Sequence, residues 1–329
     1  MARKGAIRKA VLIVAALVLV ALAVGTALFI TGWTAPGPAK ADTELVVPRG
    51  ATLRDTADLL AERGLVRSPR LFYLSTRALA GSPVIKAGEY LIPKGASNRE
   101  IVAILTGGVG ISRFVTIPEG MPSIMVYDRL LAARELTGDV AIPAEGSVLP
   151  DTYAYARGEK RAAVLARMQS AMTKALDEAW AARSADTVVK NRKEALTLAS
   201  IVEKETSIAA ERPTVAGVYS NRLRKGMMLQ ADPTIIYPIT KGKPLGRRIR
   251  RSEITAVNGY NTYAMTGLPE GPIANPSLSS IRAVLNPART NALYFVADGR
   301  GGHIFADTLE QHNANVRKWY AIRRARGEM

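Results

Sequence analysis

Residues 195–206 read ALTLASIVEKET, an apolar helical pattern that ends in two glutamates. At about 100° per residue, one face of this helix carries four residues spaced by three and four: Leu198, Ile201, Val202 and Glu205. Glu203 lies well round the helix from this face and is expected to see solvent. A carboxylate among apolar neighbours has a raised pKa, because burial disfavours its charged form. Glu205 is therefore a candidate for an acid that donates a proton near neutral pH.

A structural role for Glu205 is the alternative, since most helical glutamates are structural. In that role it would end the apolar stripe and pair with a basic neighbour. Glu194 falls near the same angle, which weakens the pattern slightly. It stands beside Asn191, Arg192 and Lys193 at the expected helix start, where a negative charge is favourable. The pattern alone leaves both roles open for Glu205.

The composition limits the classes of function. The 329 residues leave room for two or more domains. A formal net charge of +17 predicts an anionic neighbourhood such as nucleic acid, anionic lipid or cell-wall polymer. The chain has no cysteine, which excludes disulfides, thiolate metal sites and a cysteine nucleophile. With two histidines, His303 and His312, and no evident cluster of carboxylates, we expect neither a metal nor a cofactor.

The N-terminus predicts a membrane anchor. An uncharged run from Ala10 to Trp33 is long enough to span a bilayer as a helix. The residues before it include Arg3, Lys4, Arg8 and Lys9. A basic flank stays in the cytoplasm, so the rest of the chain is expected on the outer side, away from nucleic acid. A cleaved signal peptide is the alternative, because residues 38–41 include small side chains, but the run is long for a signal-peptide core.

Changes in composition along the sequence predict four parts. Prolines and alanines after Trp33 are typical of a linker. The expected parts are a tail and transmembrane helix, a linker, a small α/β module and a larger domain, at residues 1–33, 34–42, 43–108 and 109–329.

The small module contains an internal repeat. The segment VPRGAT at 47–52 recurs as IPKGAS at 92–97, and more loosely as IPEGMP at 117–122. Each copy follows a short apolar run and precedes a helical pattern, so each predicts a strand, a glycine turn and a helix. Capping boxes are expected from two pairs of side chains: Thr52 with Asp55, and Ser97 with Glu100.

Periodicity in the larger domain predicts several helices and one hairpin. The helices are expected at residues 159–183, 190–208, 211–225 and 308–326. Asp232 is expected to cap a further helix that has Pro233 at its first position. Residues 258–277 are rich in Gly, Pro and Asn and predict an ordered binding loop. Residues 293–297 and 303–305 predict a β-hairpin.

Four motifs carry a family resemblance: ALTLASIVEKET (195–206), ERPTVAGVYSNRLRKGMMLQADPTIIY (211–237), YNTYAMTGLPEGPIANPS (260–277) and LYFVADGRGGHIF (293–305). Together they resemble the YceG-like family of endolytic murein transglycosylases, membrane-anchored proteins that cut nascent peptidoglycan strands. The resemblance covers nearly the whole chain. The fold expected is α+β, with an N-terminal transmembrane helix, a LysM-like α/β module and a helix-rich catalytic domain with a small β-sheet.

The resemblance implies that the second glutamate of VEKET, Glu205, is catalytic. Ordinary glycosidases need two carboxylates, whereas a lytic transglycosylase can use one. It protonates the oxygen between N-acetylmuramic acid and N-acetylglucosamine, then deprotonates the sugar's own C6 hydroxyl and leaves a 1,6-anhydro ring. The implied substrate is the glycan strand of peptidoglycan at the outer face of a bacterial inner membrane, and cell-wall synthases are candidate partners.

Substrate-binding residues are expected from hydrogen-bond donors and flat rings in the same motifs. They are Gln230, Asp232, Tyr237, Asn261, Thr262 and Tyr263. Asp232 could be a second carboxylate beside the oxocarbenium or only a helix cap. Each of the other side chains could instead form hydrogen bonds with the backbone of its own loop. Glu253 is expected to be a helix-start charge, and His303 a packed or hydrogen-bonded histidine.

Some residues depart from the family pattern. Glu270 stands where a second proline is usual, and Ser277 where a glycine is usual. SVLPD at 147–151 is less aromatic than expected. These positions affect the rim of the cleft rather than Glu205.

Three alternative functions remain open. They are a hydrolase that uses Glu205 with Asp232, a non-enzymatic wall-binding scaffold, and a nucleic-acid-binding protein, which would require the bulk of the chain to be intracellular.

Overall fold

The computed structural model describes residues 2–48, 50–81, 83–107, 110–111 and 113–328, with side chains from residue 12 onward. The chain separates into two compact units, Met1–Arg113 and Phe114–Met329. The expected boundary at residues 108 and 109, Arg49 of the first repeat copy and the side chains of the basic flank lie outside this description.

The first unit begins with helix α1 (Ala2–Thr34). Within it, Leu12–Thr34 is an apolar stretch of 23 residues, and its most apolar 18-residue window has a mean hydropathy of 2.9. At a rise of 1.5 Å per residue this stretch is about 35 Å long, enough to cross the ~30 Å hydrocarbon core of a bilayer. It is the one helix in the described part of the chain that is long and apolar enough to do so.

The rest of the first unit is a small α/β module. Strands β1 (Thr43–Val47) and β2 (Gly88–Ile92) pair antiparallel, with Thr43 opposite Ile92. Helices α2 (Leu53–Glu62) and α3 (Pro69–Ala80) lie between the strands in sequence, and α4 (Asn98–Gly107) follows them. The core contains Leu45, Leu60, Phe72, Tyr90 and Ile101.

Both predicted capping boxes are present in this module. The Thr52 hydroxyl accepts from the Asp55 N–H at 3.2 Å, and the Asp55 carboxylate accepts from the Thr52 N–H at 2.8 Å. Ser97 and Glu100 make the same pair of bonds at 3.3 Å and 2.8 Å. The sequence repeat is therefore a repeated strand–turn–helix start, as predicted.

The second unit is rich in helices. They are α5 (Ser123–Ala132), α6 (Arg161–Ala181), α7 (Arg192–Glu205), α8 (Arg212–Arg224), α9 (Asp232–Thr240), α10 (Arg251–Ile254), α11 (Leu278–Leu285) and α12 (Leu309–Ala325). Strand β3 (Arg113–Thr116) pairs with β4 (Thr152–Tyr155), and β5 (Tyr294–Ala297) pairs antiparallel with β6 (His303–Ala306). The mixed, helix-rich fold with small sheets agrees with the prediction, and so does the C-terminal hairpin.

Helix α7 lies at the centre of the second unit, where α8, α9 and α11 pack around it. The predicted apolar face is buried, since Leu198, Ile201 and Val202 are fully inaccessible to solvent. Ala199 and Ser200 are equally buried, so solvent is excluded from most of the circumference of the helix. This packing makes the expected exposure of Glu203 wrong, because its side chain is only 4% exposed.

Two local predictions also need correction. Helix α7 ends at Glu205 and not at residue 208, because Thr206 adopts an extended backbone with φ −139° and ψ 132°. The cap of α9 is Ala231, and Asp232 is the first helical residue with Pro233 behind it. Residues 258–277 contain no regular helix or strand, as predicted.

Candidate active site

Glu205 is the last residue of α7, at the point where the chain leaves the helix. The Thr206 N–H still donates to the Val202 carbonyl at 3.3 Å, which closes the final turn. The helix before it is held by the buried core, so the carboxyl group of Glu205 is carried on a rigid support. Its Oε1 is buried and has no hydrogen-bond partner among the described residues.

This environment raises the pKa of Glu205 to about 7. Burial is the largest cause, and the negative charge of Asp232 acts in the same direction. A hydrogen bond with Tyr219 and the positive charge of Arg222 lower the pKa, but by less. A carboxyl group that titrates near neutrality is present in both protonation states, so it can act as an acid and as a base.

Tyr219 and Arg222 approach Glu205 from α8. Tyr219 is 1% exposed, and its burial together with the charge of Glu205 raises the pKa of its hydroxyl well above the usual value. The hydroxyl therefore keeps its proton. Arg222 is fixed by main-chain acceptors, since its Nε donates to the Leu293 carbonyl and its Nη1 to the Leu229 carbonyl, each at 2.7 Å.

The sequence reasoning missed Tyr219 and Arg222, although a signal was present. Val215, Tyr219 and Arg222 are spaced by four and three on α8, the same spacing that identified Glu205 on α7. An arginine in a buried stripe is as unusual as a glutamate there, because a charge without a partner is costly to bury. The same test applied to α8 would have found both residues.

Asp232 and Tyr263 complete the cluster. The Tyr263 hydroxyl donates to Asp232 Oδ1 at 2.7 Å. Burial, followed by this bond and the charge of Asp232, raises the pKa of Tyr263. Asp232 itself is exposed. Two carboxylates therefore interact across one site, Glu205 at the end of α7 and Asp232 at the start of α9. Together with Tyr219, Tyr263 and Arg222 they form one cluster.

Asn261 and Thr262 lie within the loop and are fully buried. The Asn261 Nδ2 donates to the carbonyls of Ile254 and Ala256 at 2.9 Å and 2.7 Å. The Thr262 hydroxyl accepts from the Ala231 N–H at 3.0 Å. Both side chains therefore hold the loop against α9 and α10, and this places Tyr263 beside Asp232.

Gln230 and Tyr237 lie at the edges of the cluster. Gln230 is exposed and has a positive φ of 51°, while its N–H donates to the Thr262 carbonyl at 3.1 Å. Tyr237 packs against Tyr260 with ring centroids 4.8 Å apart. Burial and then the charge of Glu145 raise the pKa of Tyr237. Tyr237 therefore lies close enough to Glu145 and Tyr260 to interact with both.

The motifs at this site belong to a known family. A family model described as the YceG-like family matches residues 45–318. The chain belongs to the YceG-like family.

Similar proteins extend this finding. The chain is 28% identical over 314 residues to the endolytic murein transglycosylase of Bacillus subtilis (strain 168), covering 85% of each. It is 28% identical over 319 residues to the protein of the same name from Streptococcus pneumoniae serotype 2 (strain D39), covering 82% of this chain and 57% of that one. A 2.6 Å crystal structure of a yceG-like protein from Listeria monocytogenes superposes with a TM-score of 0.51 at 24% identity, covering 84% of this chain and 99% of the other. That likeness shows a shared fold.

Glu203, two residues from Glu205, has quite different partners. Its Oε1 accepts from Arg212 Nη2 at 3.0 Å, and its Oε2 accepts from the Ser277 N–H and hydroxyl at 2.9 Å and 2.6 Å. Arg212 also donates to Glu119 at 2.7 Å. Ser277, where a glycine was expected, thus supplies two of these bonds, and the one from its hydroxyl is a bond that glycine could not make. All of these partners hold Glu203 in a structural network.

A third carboxylate supports the residue after Glu205. Glu211 Oε2 accepts from the Thr206 hydroxyl at 3.0 Å and lies 2.8 Å from His303 Nδ1. Burial raises the pKa of Glu211, but the hydrogen bonds from His303 and Thr206 outweigh it, so the pKa is lowered. As expected, His303 is a hydrogen-bonded histidine on β6. Glu253 likewise lies at a helix start, where it accepts from the Arg250 N–H at 2.7 Å.

A groove of about 470 Å³ is lined by residues that neighbour the cluster in the chain. Its lining includes Lys204 and Pro233, which are the sequence neighbours of Glu205 and Asp232. Most of the other lining residues are apolar. Within the described part of the chain, no group of three or more histidine, aspartate or glutamate side chains is arranged to hold a metal ion.

Proposed function

We propose that this protein is an endolytic peptidoglycan lytic transglycosylase that cleaves the β-1,4 bond between N-acetylmuramic acid and N-acetylglucosamine, with Glu205 as general acid and then general base. The observation that carries the proposal is the burial of Glu205 at the end of α7, which raises its pKa to about 7. The activity named for the relatives from Bacillus subtilis and Streptococcus pneumoniae supports it.

The first step requires Glu205 in its protonated form. Its proton passes to the bridging oxygen, the bond between that oxygen and C1 of the muramic sugar breaks, and C1 becomes oxocarbenium-like. Burial keeps the proton on Glu205 up to neutral pH. Glu205 is left as a carboxylate, which Tyr219 and Arg222 stabilise through a hydrogen bond and a positive charge.

The second step uses the same carboxylate as a base. The C6 hydroxyl of the muramic sugar attacks C1, and Glu205 takes the hydroxyl proton. A 1,6-anhydro ring closes, no water is consumed, and Glu205 returns to its protonated state. Because the attacking hydroxyl belongs to the reacting sugar, it needs only to be held in position near C1. Asp232 contributes negative charge beside the oxocarbenium, and Tyr263 fixes the orientation of its carboxylate.

A hydrolase is the second candidate, and the interaction between Glu205 and Asp232 favours it. Asp232 is exposed and its charge acts on Glu205, so it could activate a water molecule or attack C1 itself. The two functions differ in their products. Hydrolysis leaves a reducing end, whereas transglycosylation leaves a 1,6-anhydro end that is lighter by one water.

We further propose that α1 anchors the protein in a bacterial inner membrane as a single-pass helix, with the N-terminus in the cytoplasm and the catalytic unit outside. The apolar stretch Leu12–Thr34 and the basic residues before it support this orientation. The module at residues 43–108 is LysM-like in this proposal, and either binds glycan or spaces the active site from the membrane. Residues 109–329 form the catalytic domain, which could work beside a cell-wall synthase.

Mass spectrometry of cleavage products tests the proposal. The full-length protein in detergent is incubated with uncross-linked peptidoglycan strands, beside the Glu205→Gln variant as a control. Products that end in 1,6-anhydro-N-acetylmuramic acid, and that are absent with the variant, are expected. Products heavier by one water would establish the hydrolase, and an absence of cleavage by the folded wild type would favour a non-enzymatic scaffold.

A further inference from the structure

The groove beside the active site has a lining that is mostly apolar. Met121, Met125, Pro233, Ile236 and Ile273 are among its residues. Its volume of about 470 Å³ lies in the range of small-ligand sites. A glycan strand is covered with hydroxyl groups, so an apolar groove fits the sugar backbone poorly. The lining instead fits a group with methyl and methylene surface.

The charges at the groove leave one cation available. Glu119 is paired with Arg212 at 2.7 Å, and Lys243 is paired with Asp128 at 2.9 Å. Among the described residues, Lys204 has no carboxylate within ion-pair distance. Its Nζ reaches only the Gly120 carbonyl, at 3.5 Å. The groove therefore combines apolar walls with one exposed ammonium group, that of Lys204, which has no carboxylate partner among the described residues.

The position of the groove relates it to the reacting sugar. Lys204 directly precedes Glu205, and Pro233 directly follows Asp232, so the groove is lined by the immediate chain neighbours of both proposed catalytic groups. In peptidoglycan, a short peptide with free carboxylates is attached to the muramic sugar, the same ring whose C1 would react. A peptide that leaves this ring can reach a groove beside Glu205.

We infer that this groove binds the stem peptide of the muramic sugar, with Lys204 pairing with one of its carboxylates and the apolar walls contacting its side chains. This inference rests on the proposed function, since it assumes that a muramic sugar lies at Glu205. The protein is then expected to bind glycan strands that carry stem peptides more tightly than strands without them. Glu119 lines the groove and pairs with Arg212, which also pairs with Glu203.

The test measures binding in the Glu205→Gln background, so that it does not depend on cleavage. Dissociation constants are measured for full-length protein in detergent with two probes: strands that carry their stem peptides, and the same strands after the peptides have been removed by an amidase. The protein without further change is expected to bind peptide-bearing strands about fivefold more tightly, as one partly exposed charge pair allows.

Substitution of Lys204 is expected to remove most of this preference. Lys204→Gln should bring the two dissociation constants close together, whereas Lys204→Arg should retain the preference. Lys318→Gln is the matched control, because Lys318 is an exposed lysine on α12 in the same unit. The preference should also weaken with salt, since an exposed charge pair is screened.

Three results would overturn the inference. One is an equal affinity of the unsubstituted background for both strands. Another is a preference that persists in Lys204→Gln. The last is an equal weakening of both affinities by Lys204→Gln, which would mean that Lys204 contacts the sugars or supports the fold. Failure of the proposed function is distinguishable, because it appears as an absence of cleavage by the wild-type protein whatever the strands carry.

Discussion

Glu203 and Glu205 lie two residues apart on one helix and have opposite surroundings. The carboxylate of Glu203 accepts three bonds from Arg212 and Ser277. Glu205 has one buried oxygen without a partner among the described residues, and its pKa is about 7. A buried carboxylate whose hydrogen bonds and ion pairs offset the cost of its burial stays charged and serves the structure. A buried carboxylate with too few such partners has a raised pKa, so it can release and recover a proton near neutral pH.

Exchange of each glutamate for glutamine provides the strongest test of this comparison. Glu205→Gln is expected to lower cleavage by about 1,000-fold, because an amide can neither donate the proton nor accept one from C6. Glu203→Gln is expected to retain cleavage per folded molecule. Rates on peptidoglycan strands, normalised to folded protein, check both. Equal losses in the two variants would remove the distinction between the two residues.

Glu203→Gln, which should keep its cleavage activity, is expected to lose more stability than Glu205→Gln. Glu203→Gln leaves Arg212 buried with only the half-exposed Glu119 as a charged partner. We expect the free energy of unfolding to fall by about 3 kcal/mol, measured by urea denaturation in detergent. Replacing Arg212 together with Glu203 by apolar residues should recover part of the loss, because no buried charge is then left unpaired and Glu119, which loses Arg212, is half-exposed to solvent. A loss below about 0.5 kcal/mol, as for an exposed residue, would contradict the role assigned to Glu203.

Glu205→Gln should stabilise the protein at high pH. The pKa of Glu205 is raised from 4.5 to about 7 by folding, so the unfolded chain loses this proton at a lower pH than the folded one. Wild-type stability therefore falls between about pH 4.5 and pH 7, by up to about 3 kcal/mol. Glu205→Gln cannot titrate at this position, so its stability does not show this loss. Urea denaturation at pH 4 and pH 8 checks it, and a stability difference between the two proteins that is equal at both pH values would contradict the raised pKa.

Asp232→Asn should give the smallest change, a modest loss of rate, because negative charge beside the oxocarbenium is lost, together with a shift of the pH profile. The charge of Asp232 raises the pKa of Glu205, so its removal lowers that pKa. In the proposed mechanism cleavage requires protonated Glu205, so the decline of kcat/KM at high pH should begin about half a pH unit lower. Asp177→Asn is the control, because Asp177 lies on α6 in an exposed pair with Arg192. Complete loss of cleavage in Asp232→Asn would instead make Asp232 a second catalytic carboxylate.

Much of the candidate site could be predicted from short-range sequence patterns. The spacing of three and four residues placed Glu205 with Leu198 and Ile201, which are buried as expected. The capping boxes, the hairpin and the irregular loop also follow from local rules, because each depends on residues within a few positions of one another. The same spacing rule was not applied to α8, and so Tyr219 and Arg222 were missed.

The prediction for Glu203 assumed that only one face of α7 is buried, and it failed because other helices pack around α7. Glu203 was expected in solvent because it lies away from the apolar stripe. Helices α8, α9 and α11 pack around α7, so Glu203 is buried and needs Arg212 and Ser277, which are 9 and 74 residues away in the chain. No local pattern contains that information. The cap expected at Asp232 failed for a related reason, since a tyrosine 31 residues later takes its carboxylate.

The sequence by itself determined the elements of this protein: an apolar helix able to span a membrane, a repeated strand–turn–helix module and a helical domain with a glutamate on the apolar face of one helix. Local propensity and periodicity suffice for these, because they depend on neighbours in the chain. Only the tertiary structure decided which glutamate is compensated and which is left with a raised pKa. That choice depends on desolvation and on charges brought from distant segments, and both arise when the helices pack.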